Sequence, residues 1–66
     1  MNELSHQEWR VLRLIVEAHT NQHISMLLNI VLRTVEKHLS SIYRKLNMTN
    51  RAGAIKWYWH YCYHQA

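Results

Sequence analysis

RTVEKHLSSIYRKL, residues 33–46, is the stretch on which the fold turns, because its apolar and charged residues fall on separate sides of a helix. Val35, Leu39, Ile42 and Leu46 recur at i, i+4, i+7 and i+11, a spacing that lines up one face at about 100° per residue. With that stripe turned inward, Arg33, Lys37, Ser40, Ser41 and Arg44 fall outward. Fixed cations interleaved with short hydroxyls suit close approach to phosphates and base edges, and a major groove about 12 Å wide admits one helix. A solvated basic face would give the same pattern, and charge alone leaves the two readings level.

The flanking signals place three more helices. In LSHQEW, residues 4–9, Ser5 and Glu8 have the spacing of a capping box, with Leu4 and Trp9 at the positions that pack across a helix start. Leu12, Ile15 and Val16, with Val11 and Ala18 beside them, extend a buried stripe to about Ala18, so the first helix is expected over 5–18. Thr20 can cap a short second helix over 20–28, on which Ile24, Leu27 and Leu28 share a face. Asn29 and Ile30 are left as the connection to the third helix, 31–46, and so short a turn predicts a steep crossing. Asn47 can take the left-handed conformation that ends a helix, and Thr49 or Asn50 can cap a fourth over 50–63. Gly53, near its start, is either tolerated or a point of close packing.

The composition agrees with a single all-α domain, a compact four-helix bundle spanning 1–66. A chain of 66 residues buries only about 60% of its unfolded surface, so its core is simple. There is no proline and one glycine, which excludes linkers and a turn-rich β fold. No apolar run approaches the roughly 20 residues that span a bilayer, and the start lacks the pattern of a signal peptide, so the chain reads as cytosolic, with no membrane partner. The net charge is +4, unevenly spread. Residues 1–32 set Arg10 and Arg13 against three glutamates, whereas residues 33–66 set six cations against Glu36 alone, which makes a polyanion the natural partner.

Taken together, LSHQEWRVLRLI (4–15), TNQHIS (20–25), Leu28, Ile30, RTVEKHLSSIYRKL (33–46) and NRAGAI (50–55) resemble the LuxR/FixJ-type DNA-binding domain of bacterial transcriptional regulators, in register and without gaps. The resemblance implies a helix-turn-helix made of the second and third helices, the third lying in the major groove of double-stranded DNA and the fourth serving homodimerisation. It places Glu36, Lys37 and Ser40 at base-facing positions, and Asn21, Gln22, Arg33, Thr34, Arg44 and Lys45 at positions that contact the DNA backbone. Glu36 stands where the family commonly has a basic residue; a carboxylate there can accept from cytosine N4, or can simply pair along the helix with Arg33 for about 0.2–0.5 kcal/mol. Val31 stands where a capping hydroxyl is usual, and Ala18 and Asn47 where glycine is frequent. His38 borders the inward face and is expected as a hydrogen-bonded structural histidine.

KWYWHYCYH, residues 56–64, carries more rings than one small core can take in. Trp57, Trp59 and Tyr61 are therefore candidates for contact with a second copy; the alternative packs Tyr58 on the first helix and leaves the others wet. His60 and His64, like His19 and His23, share a face at i, i+4, but zinc takes about four ligands and Cys62 lies on another side, so no metal or other cofactor is expected. Cys62 is also alone, which rules out an internal disulfide. Nothing catalytic is assembled either: no base stands beside Ser40 or Ser41, aspartate is absent and the glutamates are dispersed.

The leading expectation is sequence-specific binding of double-stranded DNA in the regulation of transcription, by a domain that either follows a receiver or ligand-binding domain or stands alone. The runner-up is a helical protein-interaction module that uses its aromatic fourth helix.

Overall fold

The computed structural model describes residues 3–65, which form four α-helices: α1 (His6–Val16), α2 (Asn21–Leu28), α3 (Leu32–Leu46) and α4 (Arg51–Gln65). At the start of α1 the capping box forms in both directions. The Glu8 N–H donates to Ser5 Oγ at 3.1 Å, and the Ser5 N–H donates to Glu8 Oε1 at 2.8 Å. Ser5 is thus the cap of α1 and not its first residue, and the helix stops at Val16, two residues short of the expected 18. The reason is a reversal: Ala18 takes a left-handed φ of 72°, which turns its side chain to solvent and out of the anticipated stripe. A β-carbon is strained there, so Ala18→Gly should raise the urea midpoint by the equivalent of up to about 1 kcal/mol with an unchanged m-value.

In α2, the His23 N–H donates to Thr20 Oγ1 at 3.1 Å, and Asn29, at φ 55°, ends the helix. The Ile30 N–H closes this turn on the Ser25 carbonyl at 3.0 Å. Only Ile24 of this helix is fully buried; Leu28 is half-buried, and Leu27, expected inward, is 50% exposed. An eight-residue helix packed on both α1 and α3 turns only a narrow stripe inward, and Leu27 lies on its edge.

The four residues of the opening stripe, Val35, Leu39, Ile42 and Leu46, are the buried residues of α3. Val31 caps α3 without a side-chain hydrogen bond, and Asn47 closes it in the left-handed region at φ 58°. Asn50, rather than Thr49, caps α4: its Oδ1 accepts from the Gly53 N–H at 2.9 Å. A β-carbon at Gly53 would come within 3.2 Å of Met48 Sδ, so this is the close-packing point. α4 runs to Gln65, two residues past the expected end, and among the described residues Ala54 is its one fully buried side chain. The core is completed by Leu4 and by Val11, Leu12 and Ile15 of α1.

Trp9 of α1 gathers the aromatic rings of α4. Its ring centroid lies 5.9 Å from that of Trp57 and 5.3 Å from that of Tyr61, and Trp57 and Tyr61 stack at 5.1 Å. Such pairs contribute about 0.5–1.5 kcal/mol beyond their buried area. They hold α4 along α1 and so leave α3 uncovered on its far side. Among the described residues no helix is long and apolar enough to cross a membrane.

Candidate nucleic-acid interface

Two long-range polar contacts fix α2 and α3 to the rest of the fold. Lys45 Nζ donates to Glu8 Oε1 at 2.8 Å, so the carboxylate that caps α1 also holds the last turn of α3. The Glu8 side chain is only 6% exposed, and burial by itself pushes its carboxyl up. Hydrogen bonds from Lys45, Ser41 and the Ser5 backbone, with the Lys45 charge, outweigh burial and hold it down at about 2. Arg51, the first residue of α4, makes the second contact: its guanidinium donates to the His19 carbonyl and, at 3.1 Å, to Asn21 Oδ1. That fork ties the start of α4 to the start of α2.

With α3 held in this way, its outward residues form one continuous surface. Arg33, Glu36, Lys37, Ser40 and Arg44 are all exposed and, with half-buried Ser41, line a shallow cleft along the helix. Ser41 was expected fully outward, but it sits at the seam where its hydroxyl serves Glu8. Glu36 is shared with a neighbouring groove, lined also by Asn21, Gln22, Leu32 and Arg51, so the N-terminus of α2 and the front of α3 belong to the same face. Gln22 is exposed and Asn21 half-buried, its carbonyl oxygen engaged by Arg51. Thr34 is half-buried, and Lys45 keeps 30% of its side chain in solvent.

The electrostatics of this face are set by what is missing from it. Among the described residues Arg13 pairs with Glu17 and Lys45 with Glu8, whereas Arg33, Lys37 and Arg44 form no ion pair. The helical pairing of Glu36 with Arg33 does not form, which leaves the Glu36 carboxylate free to accept. His38 is half-buried, and no side-chain hydrogen bond reaches it among the described residues. Arg51 joins this surface only once the helices are placed: its partners lie 30 and 32 residues away, and nothing in the local pattern gives their direction.

The three aromatic candidates for self-association divide. Trp57 is half-buried against Trp9 and Tyr61 stacks on it at 39% exposure, whereas Trp59 is 59% exposed, as is Tyr63 at 80%. Among the described residues no group of three or more histidine, cysteine, aspartate or glutamate side chains comes together in a way that could hold a metal.

Comparison with known proteins matches the same residues. Residues 2–58 match the family described as bacterial regulatory proteins, luxR family. The chain is 38% identical over 52 residues to the HTH-type transcriptional regulator MalT of Vibrio campbellii, an alignment covering 79% of this chain and 6% of that protein. It is 36% identical over 53 residues to MalT of Vibrio cholerae, covering 80% and 6%, and 41% identical over 54 residues to the probable transcriptional regulator ycf29 of Pyropia yezoensis, covering 82% and 24%. The chain thus spans a small part of the length of the relatives it matches, and those relatives are named as regulators, not enzymes. Four helices in this order, an exposed basic α3 and a family match over most of the sequence lead to one assignment: the chain belongs to the LuxR family of bacterial regulatory proteins.

Proposed function

We propose that this domain binds double-stranded DNA sequence-specifically to regulate transcription, with α3 in the major groove and the N-terminus of α2 against the phosphate backbone. The observation that carries the reading is the single face on which Arg33, Lys37 and Arg44 stand exposed beside Ser40, Gln22 and Glu36, with no ion pair formed by the three cations among the described residues. Cations paired at home would have little to offer a phosphate; these three are free. In this arrangement Arg33, Arg44, Thr34, Gln22 and Asn21 position the domain, and Lys37, Ser40 and Glu36 read base edges. Lys45 has three ammonium donors, of which Glu8 takes one, so it serves both the fold and a nearby phosphate.

Binding titrations over a range of salt test the reading. Arg33→Ala should weaken binding to all duplexes alike and lower the salt slope by about 1, the contribution of one phosphate contact. Lys37→Ala should cost about 1–3 kcal/mol at one base position and relax selectivity there. If both variants keep wild-type affinity at moderate salt, α3 does not present this face to DNA.

Exposed Trp59 and Tyr63 favour self-association through α4, giving a homodimer that reads two half-sites. Sedimentation with a Trp59→Ala variant checks this. Association that persists without any affinity for duplex DNA would favour the protein-interaction reading instead.

A further inference from the structure

We propose that His60 and His64 form an exposed two-imidazole chelate for a borderline divalent cation such as Zn2+ or Cu2+. The two residues lie one turn apart on the outer side of α4, both exposed, with their Nε2 atoms 3.1 Å apart and their ring centroids 4.4 Å apart. A cation bound to two imidazoles at about 2.0–2.1 Å, with an angle between square and tetrahedral at the metal, holds the nitrogens about 2.9–3.3 Å apart. The observed separation falls inside that interval. The alternative for two nitrogens so close is a single proton shared between them, and a divalent cation takes the place of that proton while engaging both lone pairs.

Position along the helix selects this pair over the other one. His64 lies in the last turn of α4, where the unpaired carbonyls give the helix its negative end and a cation is favoured. His19 and His23 also bring two ring nitrogens, both Nδ1, to 3.0 Å, but they straddle the first turn of α2, the positive end.

The site differs from the closed structural zinc centre that the sequence argued against. Two protein ligands leave the remaining coordination positions to water, and no third ligand among the described residues joins them. Cys62 is half-buried with its thiol against the Tyr58 hydroxyl, so it takes no part. Bound metal would cross-link the end of α4 beside Trp59 and Tyr63 without touching the core. The inference is independent of the DNA reading.

Calorimetric titration of the 66-residue chain with ZnCl2, paired with the histidine ring resonances, tests it. The His60 and His64 rings should shift together, with no response to Mg2+, which prefers oxygen ligands. His60→Ala and His64→Ala should each weaken binding by about 10²-fold, since the remaining imidazole loses its intramolecular partner. His23→Ala should bind zinc as the wild type does. Both α4 side chains are exposed, so the variants should keep the wild-type circular dichroism spectrum. No zinc heat from the wild type, or wild-type heat retained by the His60→Ala/His64→Ala double variant, overturns the proposal.

Discussion

Glu8→Gln is expected to lower the stability of the domain at neutral pH by up to about 3.5 kcal/mol, read as a fall in the urea midpoint. The figure follows from the carboxyl's displacement from 4.5 to about 2, at about 1.4 kcal/mol for each pH unit. A native domain holds roughly 0.05–0.15 kcal/mol per residue, so for a chain of this length the loss is a large share of the whole. The effect should depend on pH in a defined window. Because the folded carboxyl titrates below its unfolded value, the stabilisation is fully present above about 4.5 and disappears as the pH falls towards 2. The glutamine variant has no such proton to take up, and its stability should stay flatter across that interval. Identical acid limbs for the two proteins would show that Glu8 and Lys45 are not coupled in solution.

Ile42→Ala should be more damaging still. Ile42 is fully buried on the inner face of α3, and an aliphatic side chain removed from a packed core costs about 2–5 kcal/mol, transfer and cavity together. That range overlaps the lower part of the stability expected for a chain of this length, about 3–10 kcal/mol, so the variant should show a raised unfolded population in its circular dichroism at 25 °C. Ile42→Val, at about 0.5–1.5 kcal/mol, should remain folded. The pair also separates fold from function. The valine variant should bind duplex DNA with nearly wild-type affinity, because Ile42 faces away from Arg33 and Lys37, whereas the alanine variant should lose binding in proportion to the fraction unfolded. A stable Ile42→Ala domain would mean that the α3 stripe is not where the core sits.

How far the sequence goes is clearest on α3. The residues spaced at i, i+4, i+7 and i+11 are its buried residues, because a fifteen-residue helix with a single covered side leaves the pattern little freedom. The caps at Ser5, Thr20 and Asn47 were equally legible, since each depends only on neighbours within one turn. What stayed hidden falls into two kinds. The contacts of Glu8 with Lys45 and of Arg51 with His19 and Asn21 join residues at least 30 apart, and they exist only once the helices are placed. The faces of α4 were ambiguous because rings surround the helix on all sides; Trp57 turned out to pack on Trp9 while Trp59 stands in solvent. Ala18 misled for a different reason. Its apolar side chain fits the α1 stripe, but the chain reverses one residue before it can be buried.

The carboxylate of Glu8 has a consequence for how the molecule opens. One oxygen accepts from both the Ser5 amide and the Lys45 ammonium, so unwinding at the beginning of α1 and release of the far end of α3 are a single event. Fraying, which in most proteins nibbles at the ends independently, is here a joint cost shared by α1 and α3. The basic helix α3 is thus kept in register by the first acid of the opening turn.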